Sequence, residues 1–176
     1  QVNELLFKMI LNEIEQIAEH TGLNADFFKA RVMRVSRYFD MLESSFSIMQ
    51  DGMDVEQYMR FRNTLAPASG FQSFQYRLIE ICSTDMENLI DARFRQDYSD
   101  DWTMEQKFGK IYWQAAGVDY KTGQKSYMLE DFETKYMPLF FKTAERYEDR
   151  NIYATYQRLA DEVEDDEELT AVMRHL

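Results

Sequence analysis

The sequence of 176 residues predicts an all-α fold, and two observations favour this class. The chain has only six glycines and two prolines, too few turn-forming residues for a β-sandwich of many short strands. Its apolar residues instead recur at steps of three and four, the period of an amphipathic helix. The composition is 45% apolar and 30% charged, which is typical of a globular protein. We therefore expect a single helical domain over residues 1–176.

The predicted helices of the N-terminal part cover residues 2–20 and 25–49. In the second helix, seven apolar residues form one continuous seam at helical spacing, and we expect most of them to be buried. They are Phe28, Val32, Val35, Phe39, Leu42, Phe46 and Met49. Three arginines, Arg31, Arg34 and Arg37, lie beside this seam. They form either a solvated face or a contact with an anion.

Further helices are predicted over residues 55–65, 71–81, 84–94, 103–116, 126–150 and 152–163. Asp54 is a candidate N-cap for the helix over 55–65, and the pattern Thr84 to Glu87 fits a capping box. Pro138 predicts a kink or break within 126–150, because proline lacks the backbone N–H that an interior helical position uses.

An acidic segment, residues 161–168, holds seven carboxylates in eight positions. We interpret it as a solvated connector whose negative charge also caps the last helix. The alternative, a calcium site, lacks the glycine and the ligand spacing of an EF-hand loop.

Charge and residue counts exclude several classes of function. The net charge is −12, so nucleic acids and anionic membranes would repel the protein. The only cysteine, Cys82, allows neither an intrachain disulfide nor a cysteine-based zinc site. The two histidines, His20 and His175, leave little for metal chemistry. No apolar run is long enough to span a membrane, and we expect a cytoplasmic protein.

One constellation points to the binding of a carboxylate. Tyr58, Arg62 and Leu65 follow the spacing i, i+4 and i+7, which places them on one face of a helix. Ser69 and Gly70 follow in a small-residue stretch that can line the same cavity. A guanidinium can clamp a carboxylate with two hydrogen bonds. In the alternative interpretation, Arg62 forms a structural ion pair and Tyr58 is half-buried core. No phosphate loop or hydrolase motif is present.

Three segments resemble the tryptophan 2,3-dioxygenase family. The run LAPASGFQSFQYRLIE, residues 65–80, closely resembles the signature of that family. The opening QVNELLFK, residues 1–8, is similar to the family's first helix, and RVSRYFDMLESSFSIM, residues 34–49, also fits in order and spacing. The resemblance is close over residues 1–95 and weak over 96–176.

The resemblance implies a helical, bundle-like fold of the tryptophan 2,3-dioxygenase type and a haem enzyme. Members of this family use haem b and dioxygen to cleave the indole C2–C3 bond of L-tryptophan, giving N-formylkynurenine, and are usually homotetramers. Carried over to this sequence, Arg62 would pair with the tryptophan carboxylate and Tyr58 would assist it. Leu65 would pack on the indole, and Ser69 and Gly70 would complete the pocket. A homo-oligomer, tetramer or dimer, is the implied assembly.

The sequence departs from the family at two histidines. The family's active-site histidine would directly precede Gln1, so no catalytic residue is assigned within this chain. The surroundings of His175 do not match the family's axial haem ligand, and we interpret it as an exposed helical histidine and only a weak metal candidate. We expect the chain to be part of a longer polypeptide whose full-length form binds haem b. The alternatives are a related haem oxygenase or peroxygenase acting on another aromatic amino acid, and a haemless helical binding module.

Overall fold

The computed structural model describes residues 2–65, 73–115, 122–163 and 166–176. The side chains of residues 48, 49, 61, 63–65 and 115 lie outside this description. Nine α-helices are found in the described part of the chain: α1 Val2–Glu19, α2 Ala25–Gly52, α3 Val55–Leu65, α4 Phe74–Ser83, α5 Met104–Phe108, α6 Tyr112–Ala115, α7 Tyr127–Tyr147, α8 Ile152–Glu162 and α9 Glu167–His175.

The all-α prediction is confirmed. Within the described ranges no β-strand forms, and the one named β-contact is an isolated antiparallel bridge between Ile90 and Ile111. None of the described helices is long and apolar enough to cross a membrane.

The prediction of a helix over residues 84–94 is wrong, and so is the prediction of a capping box at its start. This stretch forms only a 3₁₀ turn over Met86–Leu89, and the Asp85 side chain that precedes it makes no capping hydrogen bond. The Thr84 hydroxyl accepts instead from the Asn88 amide. A capping box is found instead at the start of α5, where the side chains of Thr103 and Gln106 each accept from the other residue's backbone N–H.

The predicted helix over residues 103–116 is divided in two. Helix α5 ends at Phe108, and α6 begins only at Tyr112. Between them the Lys110 carbonyl accepts from the Asp91 N–H, and Ile111 bridges to Ile90. These long-range bonds take the backbone groups that a continuous helix would have used.

Helix α7 continues through Pro138, so a break at this position is excluded. Phe132 and Phe140 lie on either side of the proline, and both contact the ring of the buried Trp113 at centroid distances of 5.9 Å. An interior proline costs a helix about 3 kcal/mol. Burial of two aromatic side chains from the same helix offsets that cost.

The chain divides into two compact units. The first consists of Gln1–Ser69 and Tyr156–Leu176, and the second of Gly70–Thr155. The interpretation of residues 1–176 as one domain remains a prediction.

The core of the first unit lies between α1 and α2. Leu6, Ile10, Ile14 and Ile17 of α1 are buried, as are Phe28, Val32, Val35 and Leu42 of the α2 seam. The seam prediction is confirmed for these four residues, Phe39 is half-buried, and Met49 lies outside the described side chains.

The prediction is wrong for Phe46, which is 57% exposed. Helical periodicity places Phe46 in line with the buried residues of α2, but periodicity alone does not supply a neighbouring element that covers this position.

Two of the three arginines beside the seam bind an anion that belongs to the chain itself. Glu13 of α1 is only 2% exposed, and its two carboxylate oxygens accept from Arg31 Nη1 at 2.9 Å and from Arg34 Nε at 2.8 Å. The anion-contact interpretation therefore holds for Arg31 and Arg34, although the Arg34 side chain is also exposed, and Arg37 lies on a solvated face. A buried carboxylate needs such partners, because its desolvation is otherwise costly.

The acidic segment caps the last helix, as predicted. The Asp166 carboxylate accepts from the Leu169 N–H at 2.9 Å, and Lys29 Nζ lies 3.1 Å from Asp166 and 3.0 Å from Glu168. The pKa of Asp166 is held below its usual value, chiefly by the Leu169 N–H and then by Lys29. Among the residues described, no group of acids, histidines and cysteines is arranged to hold a metal ion.

In the second unit, α4 packs against α7. The core cluster is aromatic, and the Trp113 ring meets Phe132 and Phe140 edge to face. Its buried members are Ile81, Leu89, Phe108, Ile111, Trp113, Leu129, Phe132, Phe140 and Ala144.

Candidate substrate-binding face

Helix α3 begins where the sequence predicts. The Asp54 carboxylate accepts from the Gln57 N–H at 2.9 Å, which satisfies a free donor of the first turn. One turn later, Arg60 pairs with Glu56 at 2.6 Å across the exposed surface. The helix then runs to Leu65 without interruption.

The structure brings Tyr58 and Arg62 together on α3, about 6 Å apart along the helix axis. Tyr58 is 38% exposed and Arg62 is also exposed, so both present polar groups to solvent. Leu65 is the last residue of α3, but its side chain lies outside the described ones, and Ser69 and Gly70 lie outside the described residues altogether. The assignment of these five residues to a binding site remains a prediction.

The described neighbours of Arg62 leave its guanidinium free to bind an external anion. The ion pairs of the described residues include one for Arg60 but none for Arg62. A structural ion pair for Arg62 is thus not found within this part of the chain. An exposed, planar guanidinium presents the donor geometry that a carboxylate matches.

A buried polar network lies further along the signature segment, and it was not anticipated from the sequence. Arg77 is 3% exposed, and its Nη1 donates to the Tyr112 hydroxyl at 2.6 Å and lies 2.8 Å from the Glu80 carboxylate. Tyr112 in turn donates to Glu80. The i, i+3 spacing of Arg77 and Glu80 was the available signal, but Tyr112 joins them only through the tertiary fold.

This network shifts the titration of two of its members. Burial raises the pKa of the Glu80 carboxyl, although the hydrogen bond from Tyr112 and the charge of Arg77 oppose the shift. Burial, followed by the hydrogen bond to Glu80, raises the pKa of Tyr112 to about 12 from its ordinary 10.0. The folded chain therefore favours the neutral phenol.

We expect the stability of the chain to fall as the pH rises from about 10 to about 12 because of Tyr112. In that window the unfolded state loses the phenolic proton first, so raising the pH favours unfolding. Because the ring is partly exposed, we expect a loss of about 1 kcal/mol rather than the full value of the shift. Urea unfolding at pH 9 and pH 11 measures this loss of stability. In Tyr112→Phe, the free energy of unfolding should depend less steeply on pH. An equal pH dependence would contradict the assignment of this effect to Tyr112.

The family model described as tryptophan 2,3-dioxygenase matches residues 1–169. This chain belongs to the tryptophan 2,3-dioxygenase family. The match extends the family assignment through most of residues 96–176, where the motifs alone gave only a weak resemblance.

Individual relatives carry the same name and are much longer than the matched stretch. Tryptophan 2,3-dioxygenase of Ruegeria sp. (strain TM1040) is 44% identical over 46% of this chain and 29% of its own length. The Xenopus laevis relative is 38% identical over 46% of this chain and 21% of its own. The Mus musculus relative is 35% identical over 58% of this chain and 27% of its own length. The chain thus spans less than a third of these relatives, and no solved structure matches it.

Neither the histidines nor the cysteine of the described residues lies where it fits the haem that this family implies. Protein ligands of haem iron include histidine and cysteine. His175 is exposed at the end of α9, His20 is exposed and stacks on Phe27 at a centroid distance of 4.0 Å, and Cys82 is buried at 2% exposure in the packed interior. The surface cleft beside α9 is lined by charged groups of both signs, Asp166, Glu167 and Arg174, and contains neither a histidine nor a cysteine.

Proposed function

We propose that the protein containing this chain is a haem-dependent dioxygenase that cleaves the indole C2–C3 bond of L-tryptophan to give N-formylkynurenine. Membership of the tryptophan 2,3-dioxygenase family supports the reaction. The proposed binding site is supported chiefly by Arg62. Its guanidinium is exposed, has no ion pair among the described residues and lies one helical turn from Tyr58. These groups directly precede the family's signature segment.

Each residue of the site has a distinct role in this proposal. Arg62 clamps the substrate carboxylate with two charge-assisted hydrogen bonds, and the Tyr58 hydroxyl donates a further one. Leu65 packs against the indole, while Ser69 and Gly70 complete the pocket. Together they orient the amino acid so that its indole faces the haem.

The haem belongs to the proposal for the full-length protein rather than to the described residues. When bound, it would supply the iron that activates dioxygen. The proposal also includes a homo-oligomer, tetramer or dimer, which the family implies, and a cytoplasmic location.

The test is turnover by the full-length, haem-loaded protein under reducing conditions. L-Tryptophan, L-phenylalanine and L-tyrosine are supplied separately with dioxygen, and the products are identified by mass spectrometry. We expect N-formylkynurenine from L-tryptophan and no ring cleavage of the others. Preferential oxidation of phenylalanine or tyrosine would favour the related oxygenase, and a protein that binds tryptophan without haem or turnover would favour the binding module.

A further inference from the structure

Three buried or half-buried side chains of the second unit form what we call the Arg77 network: Arg77, Glu80 and Tyr112. Arg77 and Glu80 lie about one turn apart on α4, and Tyr112 begins α6. The guanidinium also lies against two aromatic rings. Its carbon is 4.9 Å from the centroid of the Tyr76 ring and 5.5 Å from that of Tyr112. Rings and hydrogen bonds together therefore fix this cation.

Stability alone is a poor explanation for a buried ion pair of this kind. Taking charges out of water costs several kcal/mol per ion, and apolar residues of similar volume often make a fold equally or more stable. A hydrogen-bonded polar network instead favours one arrangement of its members over neighbouring ones. The Arg77 network is thus suited to hold the elements that it joins, α4 and α6, in one position.

The start of α4 is fixed by further contacts. The Ser73 hydroxyl caps the helix, accepting from the Tyr76 N–H at 3.4 Å. The Phe74 ring stacks on Tyr136 of α7 at a centroid distance of 4.7 Å, with the two planes nearly parallel. Arg77 follows Phe74 after about one turn, so the ring stack and the network fix both the position and the rotation of the first turn of α4.

This first turn limits where one residue of the proposed tryptophan site can lie. Gly70 belongs to the same unit as α4 and precedes Ser73 by three residues. Three residues of extended chain span at most about 11 Å, so Gly70 stays within that distance of the helix start. A displacement of α4 is therefore passed to Gly70 through the chain, and a misplacement of about 1 Å can cost an active site about a hundredfold in rate.

We propose that Arg77, Glu80 and Tyr112 are positioning residues for the tryptophan site. They hold the start of α4 so that Gly70 keeps its place in the pocket, and none of the three touches the substrate. This inference rests on the proposed function, because the site that the network serves is the one proposed there. A pocket that is held in its binding conformation before the ligand arrives binds more tightly, since less order is created on binding.

The first test is Tyr112→Phe in the full-length, haem-loaded protein. The change keeps the ring and removes the hydroxyl that joins Arg77 to Glu80. We expect the affinity for L-tryptophan, measured by calorimetry, to fall about tenfold because the pocket is less well ordered before binding.

The matched control is Tyr147→Phe, which removes a hydroxyl from a buried tyrosine of the same unit. Tyr147 lies beside Ile81 and Thr84, at the other end of α4. We expect this variant to bind tryptophan as wild type does, even where its free energy of unfolding falls as much as that of Tyr112→Phe.

An apolar replacement of the whole network separates positioning from stability. In Arg77→Met/Glu80→Leu/Tyr112→Phe the charges are gone, so the free energy of unfolding should be unchanged or higher. The affinity for L-tryptophan should nevertheless fall about ten- to a hundredfold, because the specific hydrogen bonds are lost. Urea unfolding and calorimetry measure the two quantities on the same protein, and if this variant does not fold, Tyr112→Phe decides alone.

The inference is overturned if Tyr112→Phe and the apolar variant bind tryptophan as tightly as wild type. It is also overturned if Tyr147→Phe weakens binding as much as Tyr112→Phe does. A wild type that binds tryptophan but forms no N-formylkynurenine would contradict the proposed reaction only, and the affinities of the variants would still decide on the network. A wild type that binds no tryptophan would overturn both.

Discussion

In the full-length, haem-loaded protein, Arg62→Ala is expected to raise the KM for L-tryptophan about ten- to a hundredfold. A hydrogen bond to a charged group contributes about 1.5–3 kcal/mol, and each 1.4 kcal/mol is a factor of about ten in affinity. The exposed guanidinium of Arg62 has no ion pair with another described residue, so its removal should leave no buried charge behind. Steady-state kinetics and the haem absorption spectrum measure the two effects, and the haem content should not change.

Graded variants separate binding from a structural role. Arg62→Lys should recover only part of the affinity, because an ammonium lacks the planar fork. Tyr58→Phe should cost less than Arg62→Ala, since it removes one hydroxyl and keeps the ring. Arg60→Ala is the control: it removes an exposed arginine of the same helix that already pairs with Glu56, and the KM should not move.

Two results would contradict the carboxylate clamp. One is an equal rise in KM for Arg60→Ala and Arg62→Ala. The other is that tryptamine, which lacks the carboxylate, binds the wild type as tightly as tryptophan does while Arg62→Ala unfolds the protein. Arg62 would then be a structural residue.

The 176-residue chain alone is expected to bind haem weakly and without fixed stoichiometry. A porphyrin without an axial protein ligand is held by packing only, and the described residues place no histidine in an enclosed apolar pocket. Titration with haem, followed by gel filtration and absorption spectroscopy, measures the retained fraction. The full-length protein serves as the positive control and should retain haem.

His175→Ala is the decisive variant for the isolated chain. We expect it to leave the weak haem signal unchanged, because His175 is exposed at the end of α9. A stable one-to-one haem complex that is lost in His175→Ala would identify this residue as an iron ligand.

Local sequence patterns were sufficient for much of the helical framework. Helix α3 has the predicted bounds, and Asp54 caps it, because both features depend on residues within one or two turns. The seam from Phe28 to Leu42 is buried as its periodicity predicts. The signature over residues 65–80 indicated the family that the match over 1–169 then established. Since i, i+4 spacing is a property of the helix alone, Tyr58 and Arg62 could also be placed on one face.

Other features depended on residues far apart in the sequence, and only the tertiary structure decided them. Residues 84–94 do not form a helix, because the Asp91 N–H bonds the Lys110 carbonyl instead of a local one. Phe46 is exposed although it continues the seam of α2, and periodicity alone cannot reveal whether another element covers a position. Glu13 is the anion for Arg31 and Arg34, and Tyr112 joins Arg77 to Glu80. Each of these is a pairing between separate segments, and its energy comes from desolvation and packing that exist only once the chain has folded.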